Sequence, residues 1–147
     1  MRDIQSITVL GAGTMGHGIA HVAALSGYAV QLFDLDQGAL NKGLAHINKA
    51  MQKGVDKGKL EPEAMQEALS RLQVSNDFDI ATANADLVIE AVPENLELKS
   101  KIFAQLDSAL ENDVILASNT SSISLSKIAQ ACKNPERCIG MHFFNPP

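Results

Sequence analysis

Tryptophan is absent from this sequence, tyrosine occurs once, and acidic residues outnumber basic ones by seventeen to twelve, for a net charge of -5. Proteins that hold nucleic acid need a basic surface, and those that hold single strands add aromatic platforms. Both are lacking, so no nucleic acid partner is expected; small molecules are. Apolar runs long enough to cross a bilayer as a helix, about twenty residues, are lacking too, and no membrane partner is expected. The start, MRDIQSITVLGAG, meets glycine before it can build the core of a signal peptide. Cysteine appears twice, at Cys132 and Cys138, too few and too widely spaced for a Cys-x-x-Cys redox or zinc motif. The pair reads as reduced thiols, and the chain as soluble and cytoplasmic.

What is present is enough apolar material, 46% of 147 residues, to build one core without disulfides or metal. Apolar runs recur at 7–10, 29–33, 87–92, 114–117 and 138–143, with a weaker one near 73–75. Helical stripes lie between them: Met15, Ile19, Val22 and Ala23, stopping at the cap signal Ser26-Gly27; Leu40, Leu44, Ile47, Met51 and Val55; and Ile102, Phe103, Leu106 and Leu110. Continuous apolar strands alternating with helices predict an α/β fold of Rossmann type, a doubly wound parallel sheet covered on both faces. Between Asp36 and Leu72 two helical patterns flank KGKLEP. A crossover needs one helix, so the second predicts an inserted helical hairpin projecting from the sheet.

The first run ends in VLGAGTMGHGIAH, four glycines in eight residues. Gly11, Gly13 and Gly16, with Thr14 and Met15 among them, have the spacing of a strand–turn–helix unit that seats a dinucleotide's phosphates on a helix N-terminus. Asp34 directly follows the second run, where a carboxylate bonds the adenosine ribose and repels the 2′-phosphate of NADP, so the predicted cofactor is NAD. Asp36 reads as a solvated turn acid. His17 and His21, four apart, lack the glutamate that the metalloprotease pattern places after the first histidine, since Gly18 stands there. They read as helix-surface residues, and no metal is expected.

Ligands of open parallel sheets gather outside the carboxyl ends of the strands. Five runs end in polar chemistry there: the glycines, Asp34, Glu94 with Asn95, the segment Ser118 to Ser122, and His142 in IGMHFFNPP. His142 is the candidate for proton transfer, the work imidazole suits near neutral pH. Asn119 and Ser121 could hold a substrate hydroxyl or the nicotinamide end of the cofactor, or cap the following helix. Lys49, Lys53 and Lys57, four apart and off the apolar stripe, read as a solvated face or as a handle for an anionic substrate.

Together VLGAGTMGHGIA, the acid in FDLD, AVPENLELK, LASNTSSIS and GMHFFNP, in this order over the whole chain, resemble the NAD-binding domain of the 3-hydroxyacyl-CoA dehydrogenases, which include bacterial 3-hydroxybutyryl-CoA dehydrogenases. The resemblance implies hydride transfer between NAD and C3 of a 3-hydroxyacyl-CoA, giving the 3-ketoacyl-CoA, with short substrates such as 3-hydroxybutyryl-CoA and acetoacetyl-CoA, in fatty acid or butanoate metabolism. It implies that His142 is the base for the 3-hydroxyl proton and that Ser121 binds the substrate oxygen. Asp34 would bind the adenosine ribose, Glu94, Lys99 and Asn119 would contact NAD, and Lys57, with Lys53 beside it, would contact CoA.

The resemblance also implies that residues 1–147 are the cofactor half of a homodimeric enzyme. The glutamate that orients the histidine, and the helical C-terminal domain that forms the dimer and completes the acyl pocket, are then absent from this chain, which is expected to bind NAD and turn over poorly alone. Pro147 stands where many members have Val. That keeps open a related dehydrogenase of non-CoA 3-hydroxy acids such as sugar acids, and a non-catalytic dinucleotide sensor stays open as well.

Overall fold

The computed structural model describes residues 2–147. Six strands, β1 (Ser6–Leu10), β2 (Ala29–Phe33), β3 (Leu72–Ser75), β4 (Leu87–Glu90), β5 (Ile115–Ser118) and β6 (Cys138–Gly140), form one sheet. Its order is β3-β2-β1-β4-β5-β6, and each ladder is parallel. The crossovers carry α1 (Thr14–Leu25), α2 (Gln37–Asp56), α3 (Pro62–Ser70), α4 (Phe78–Thr82), α5 (Leu96–Ala109) and α6 (Leu125–Ala129). The chain winds outward from β1 through β2 and β3, then returns to the other side of β1 for β4. The direction reverses between β1 and β4, the switch point at which a doubly wound sheet leaves a crevice.

Successive strand residues point to opposite faces, which sorts the core in two. Ile7, Val9, Val30, Leu32, Leu87 and Ile89 pack with Ile19, Leu40, Ile47 and Met51 of α1 and α2. Leu10, Phe33, Val88 and Leu116 pack on the other face with Phe103, Leu106 and Ile128 of α5 and α6. Both faces are covered, so the strands read as continuous apolar runs. Thr8 is a polar exception, and its hydroxyl donates to the Ala81 carbonyl at 2.6 Å.

The structure corrects several expectations. Strand β4 ends at Glu90 and β6 at Gly140, short of 92 and 143. The Met141 N–H donates to the Ser118 carbonyl, beyond which β5 has no residue to pair. The inserted hairpin does not project: α2 and α3 lie against α1, with Leu40, Ile47, Met51 and Ala68 in the common core, because the apolar face of an amphipathic helix is stable only when covered. Val22 is exposed, and Ile19, Ala20, Ala23 and Ala24 form the buried face of α1.

The histidines of α1 are also more than surface decoration. His17 stacks on His46 of α2 with ring centroids 5.0 Å apart, and burial, helped by the charge of His17, pushes the imidazole of His21 below its ordinary value. Cys132 and Cys138, too widely spaced for a sequence motif, are brought to 3.6 Å between their sulfurs. The loop joining them folds back onto Asp107, which accepts the Lys133 N–H at 2.6 Å and pairs with Arg137 at 2.9 Å. Both thiols are free, and burial pushes that of Cys132 up to about 12.

Candidate functional site

At the carboxyl end of β1 the chain turns into α1 through three glycines that do different things. Gly11 has φ of 99°, a left-handed conformation, and a Cβ there would stand 2.7 Å from the Ala91 carbonyl oxygen. A Cβ on Gly16 would fall 1.6 Å from the Gly11 carbonyl oxygen, so only glycine lets the first turn of α1 lie on the end of β1. Gly13 has an ordinary φ of -68°, and nothing lies within 4 Å of where its Cβ would be. No packing within the protein demands glycine there.

The space beside Gly13 opens at the N-terminus of α1, where among the described residues no side chain caps the helix and no acid occupies the first turn. Helices α2, α4 and α5 are capped by Asp36, Asp77 and Asn95. Asp36 is therefore a helix cap and not a merely solvated acid; its carboxylate accepts the Gly38 N–H at 2.8 Å. Unfilled N–H groups, the positive end of the helix dipole and bare main chain fit the diphosphate of a dinucleotide. Asp34 borders the same turn. One of its oxygens accepts the Ala12 N–H and the other the Asp36 N–H, both at 2.9 Å, which leaves lone pairs for a ligand hydroxyl.

On the other side of β1, the ends of β4 and β5 carry a polar network centred on Glu90, a residue that sequence reading missed. Glu90 and Lys99 are 0% and 1% exposed. One Glu90 oxygen accepts from the Lys99 ammonium at 2.5 Å and the Val92 N–H at 2.9 Å; the other accepts from the Ser118 hydroxyl at 2.7 Å. Lys99 also reaches Glu94 at 3.1 Å and the Val92 carbonyl at 3.2 Å. An ammonium has three protons, and these acceptors use them all. The available signal was the acid in the otherwise apolar LVIEAV: a buried charge must find a partner.

The second oxygen of Glu94 gathers the loop after β5. It accepts the hydroxyls of Thr120 and Ser122, each at 2.9 Å, and the N–H groups of Ser121 and Ser122 at 3.2 and 3.3 Å. Burial alone would raise this carboxyl, but the hydrogen bonds from Lys99, Thr120 and Ser122 and the Lys99 charge outweigh it and hold the pKa at about 2. A depressed carboxyl stabilises the fold above its ordinary value and loses that contribution as pH falls toward its folded value. The melting-temperature gap between the native chain and Glu94→Gln should accordingly be constant above about 4.5 and shrink between there and about 2. Acid titration by circular dichroism checks this, and a gap insensitive to pH contradicts it.

His142 lies beyond β6 and is exposed, its ring tilted against Phe144 with centroids 5.0 Å apart; it is not a core residue. Its segment is tied to the end of β5, since the Asn119 side-chain oxygen accepts the Phe143 N–H at 2.8 Å. A single groove of about 950 Å³ is lined by Gly11, Gly13, Thr14, Met15 and Asp34 together with Glu94, Lys99, Asn119, Ser121 and His142. Gly16 lies behind the turn. Lys53 and Lys57, at the end of α2, are exposed and do not form part of the groove wall. Among the described residues no cluster of three or more His, Cys, Asp or Glu could hold a metal ion, and no helix is long and apolar enough to cross a membrane.

Residues 6–147 match the family model of the 3-hydroxyacyl-CoA dehydrogenase NAD-binding domain. The chain belongs to this family. Its cofactor is accordingly NAD, in agreement with the acid at the end of β2. The chain is 46% identical to the 3-hydroxyadipyl-CoA dehydrogenase of Escherichia coli K12 over 146 residues, which is 99% of this chain and 30% of that relative. A solved 3-hydroxybutyryl-CoA dehydrogenase from E. coli K12 superposes with a TM-score of 0.95 at 46% identity, covering 99% of this chain and 30% of the other. The (S)-3-hydroxybutyryl-CoA dehydrogenase of Ralstonia eutropha gives 0.93 at 42% identity, covering 98% of this chain and 50% of that one. The NAD-binding domain thus spans between about a third and a half of these relatives.

Proposed function

We propose that this NAD-binding domain serves a cytoplasmic dehydrogenase that moves hydride between NAD and C3 of a short 3-hydroxyacyl-CoA, in fatty acid or butanoate metabolism. The observation that carries this reading is the continuity of the groove, which runs from the uncapped start of α1 to His142. When bound, NAD supplies the hydride acceptor. Gly11, Gly13, Thr14 and Met15 hold its diphosphate on a turn that Gly16 keeps tight, and Asp34 binds the adenosine ribose. Glu94 and Asn119 serve the other half of the cofactor. Lys99, whose protons are engaged by protein acceptors, acts there through Glu94.

His142 takes the proton of the 3-hydroxyl on an imidazole nitrogen, and the Ser121 hydroxyl steadies the same substrate oxygen. The exposure of His142 supports this, since a general base must be reachable by substrate. Lys53 and Lys57 meet the anionic CoA handle; their exposed charge at one end of α2 supports that assignment. By family resemblance the carboxylate partner of His142 is a glutamate shortly beyond HFFNP, and the rest of the acyl pocket and the homodimer contact belong to a helical C-terminal domain, a reading that the greater length of the relatives supports.

Calorimetric titration tests the cofactor half. The native chain should bind NADH about tenfold or more tighter than NADPH, and Asp34→Ala should weaken NADH by about tenfold and narrow the preference. Equal affinity for the two nucleotides, or none for either, refutes the assignment. The reaction is read as acetoacetyl-CoA-dependent loss of NADH absorbance in the full-length protein; turnover of sugar acids instead would favour the non-CoA alternative.

A further inference from the structure

We propose that Glu90 is a positioning residue for the nicotinamide half of the cofactor, acting through two hydrogen-bonded routes that converge on the loop Thr120 to Ser122. The proposal rests on the NAD reading of the groove. Glu90 does not line that groove, and its carboxylate is wholly buried at the end of β4. Anything it does for a ligand passes through its neighbours.

The first route leaves from Oε1. It accepts the Ser118 hydroxyl at 2.7 Å, and the oxygen of that hydroxyl accepts the Thr120 N–H at 3.2 Å. The second leaves from Oε2, which holds the Lys99 ammonium at 2.5 Å; Lys99 holds Glu94 at 3.1 Å, and Glu94 holds the Thr120 hydroxyl, the Ser121 N–H and both donors of Ser122. Oε2 also accepts the Val92 N–H at 2.9 Å, which fixes the direction of the chain between Glu90 and Glu94. Both oxygens of one carboxylate therefore end on the loop that carries Ser121.

Stability is a poor explanation for this arrangement. A buried ion pair is often matched or exceeded by apolar residues of similar volume, and here two carboxylates share one ammonium. The arrangement does place the serine loop and Glu94 relative to β4 with several directed bonds. Asp34 and the glycine turn follow β2 and β1, whereas Glu94 and Ser121 follow β4 and β5 across the switch point. A dinucleotide laid over that point puts its adenosine on the β2 side and its nicotinamide on the β4–β5 side. Only the second half meets elements that Glu90 holds.

Glu90→Gln keeps the size of the side chain but replaces one acceptor oxygen with an N–H donor. The amide carries no charge to hold the Lys99 ammonium, which weakens the second route, and its N–H can meet Ser118 only if that hydroxyl turns round to accept. Calorimetry with the whole chain should find NADH bound about tenfold more weakly by Glu90→Gln. ADP, which carries only the adenosine and diphosphate, should bind within about twofold of the native affinity. Ser118→Ala cuts the first route alone and should weaken NADH by about threefold, again sparing ADP. Native NADH affinity in Glu90→Gln overturns the proposal, as does an equal loss of NADH and ADP, the mark of a merely structural residue. If Glu90→Gln fails to fold, Ser118→Ala decides: unchanged NADH affinity overturns the proposal. A native chain that binds neither nucleotide overturns the NAD reading and this proposal with it, an outcome distinct from any confined to the variants.

Discussion

Gly13→Ala will fold as the native chain does and lose most of its affinity for NADH. The backbone at Gly13 is ordinary, and its added methyl group meets nothing of the protein, so the melting midpoint should move by about 2 °C or less. The same methyl group fills the space over the uncapped N-terminus of α1. A diphosphate pushed off that surface forfeits several charge-assisted hydrogen bonds, and the loss should reach about a hundredfold in affinity. Gly16→Ala supplies the contrast, because its Cβ would overlap the Gly11 carbonyl oxygen; it should lower the melting midpoint even without ligand. Thermal melts and NADH titrations of the two variants separate a glycine needed for packing from one needed for a ligand. If Gly13→Ala binds NADH as the native chain does, the turn is not the phosphate site.

Arg137→Leu will cost the domain about 3–5 kcal/mol. Arg137 and Asp107 have side chains only 4% and 2% exposed. The guanidinium donates to the Asp107 carboxylate at 2.9 and 3.1 Å and to the Asp107 carbonyl at 2.8 Å, and it also reaches the Glu111 carbonyl. Removing it strands a buried carboxylate with the Lys133 N–H and deprives those carbonyls of a donor. A fall of about 10 °C or more in the melting midpoint is expected. The double variant Asp107→Leu with Arg137→Leu should recover much of it, because an apolar pair leaves no charge behind. Chemical denaturation of the three variants measures the effect, and a single-variant loss below about 1 kcal/mol contradicts it. The same clamp holds both ends of the loop that brings Cys132 and Cys138 together and leads into β6, just before His142.

The parts legible in the sequence are those enforced within a few residues. The run at 29–33 has the bounds of β2 because Gly27 and Asp34 bracket it, whereas 87–92 and 138–143 overran because apolar character continues past the last ladder bond. Strand length is set by the neighbour, and β5 stops at Ser118. The glycine spacing, the acid closing β2 and the polar strand ends were all readable for the same local reason. Together with the doubly wound class, they point to a dinucleotide.

Pairings across the sheet were not readable. Glu90 finds Lys99 nine residues on and Ser118 twenty-eight on; Arg137 finds Asp107 thirty residues back. These partners depend on which strands and helices become neighbours. The inserted hairpin was visible as two helices, but whether it projected or packed depended on the face α1 offered it.

By itself the sequence determined a parallel sheet, a glycine turn with a carboxylate beside it, and a histidine at the end of the last apolar run, because backbone geometry and side-chain period act over one element at a time. Tertiary structure alone decided which buried charges neutralise one another. It also decided which of three similar glycines no packing within the protein requires, because both depend on distances between segments far apart in the chain.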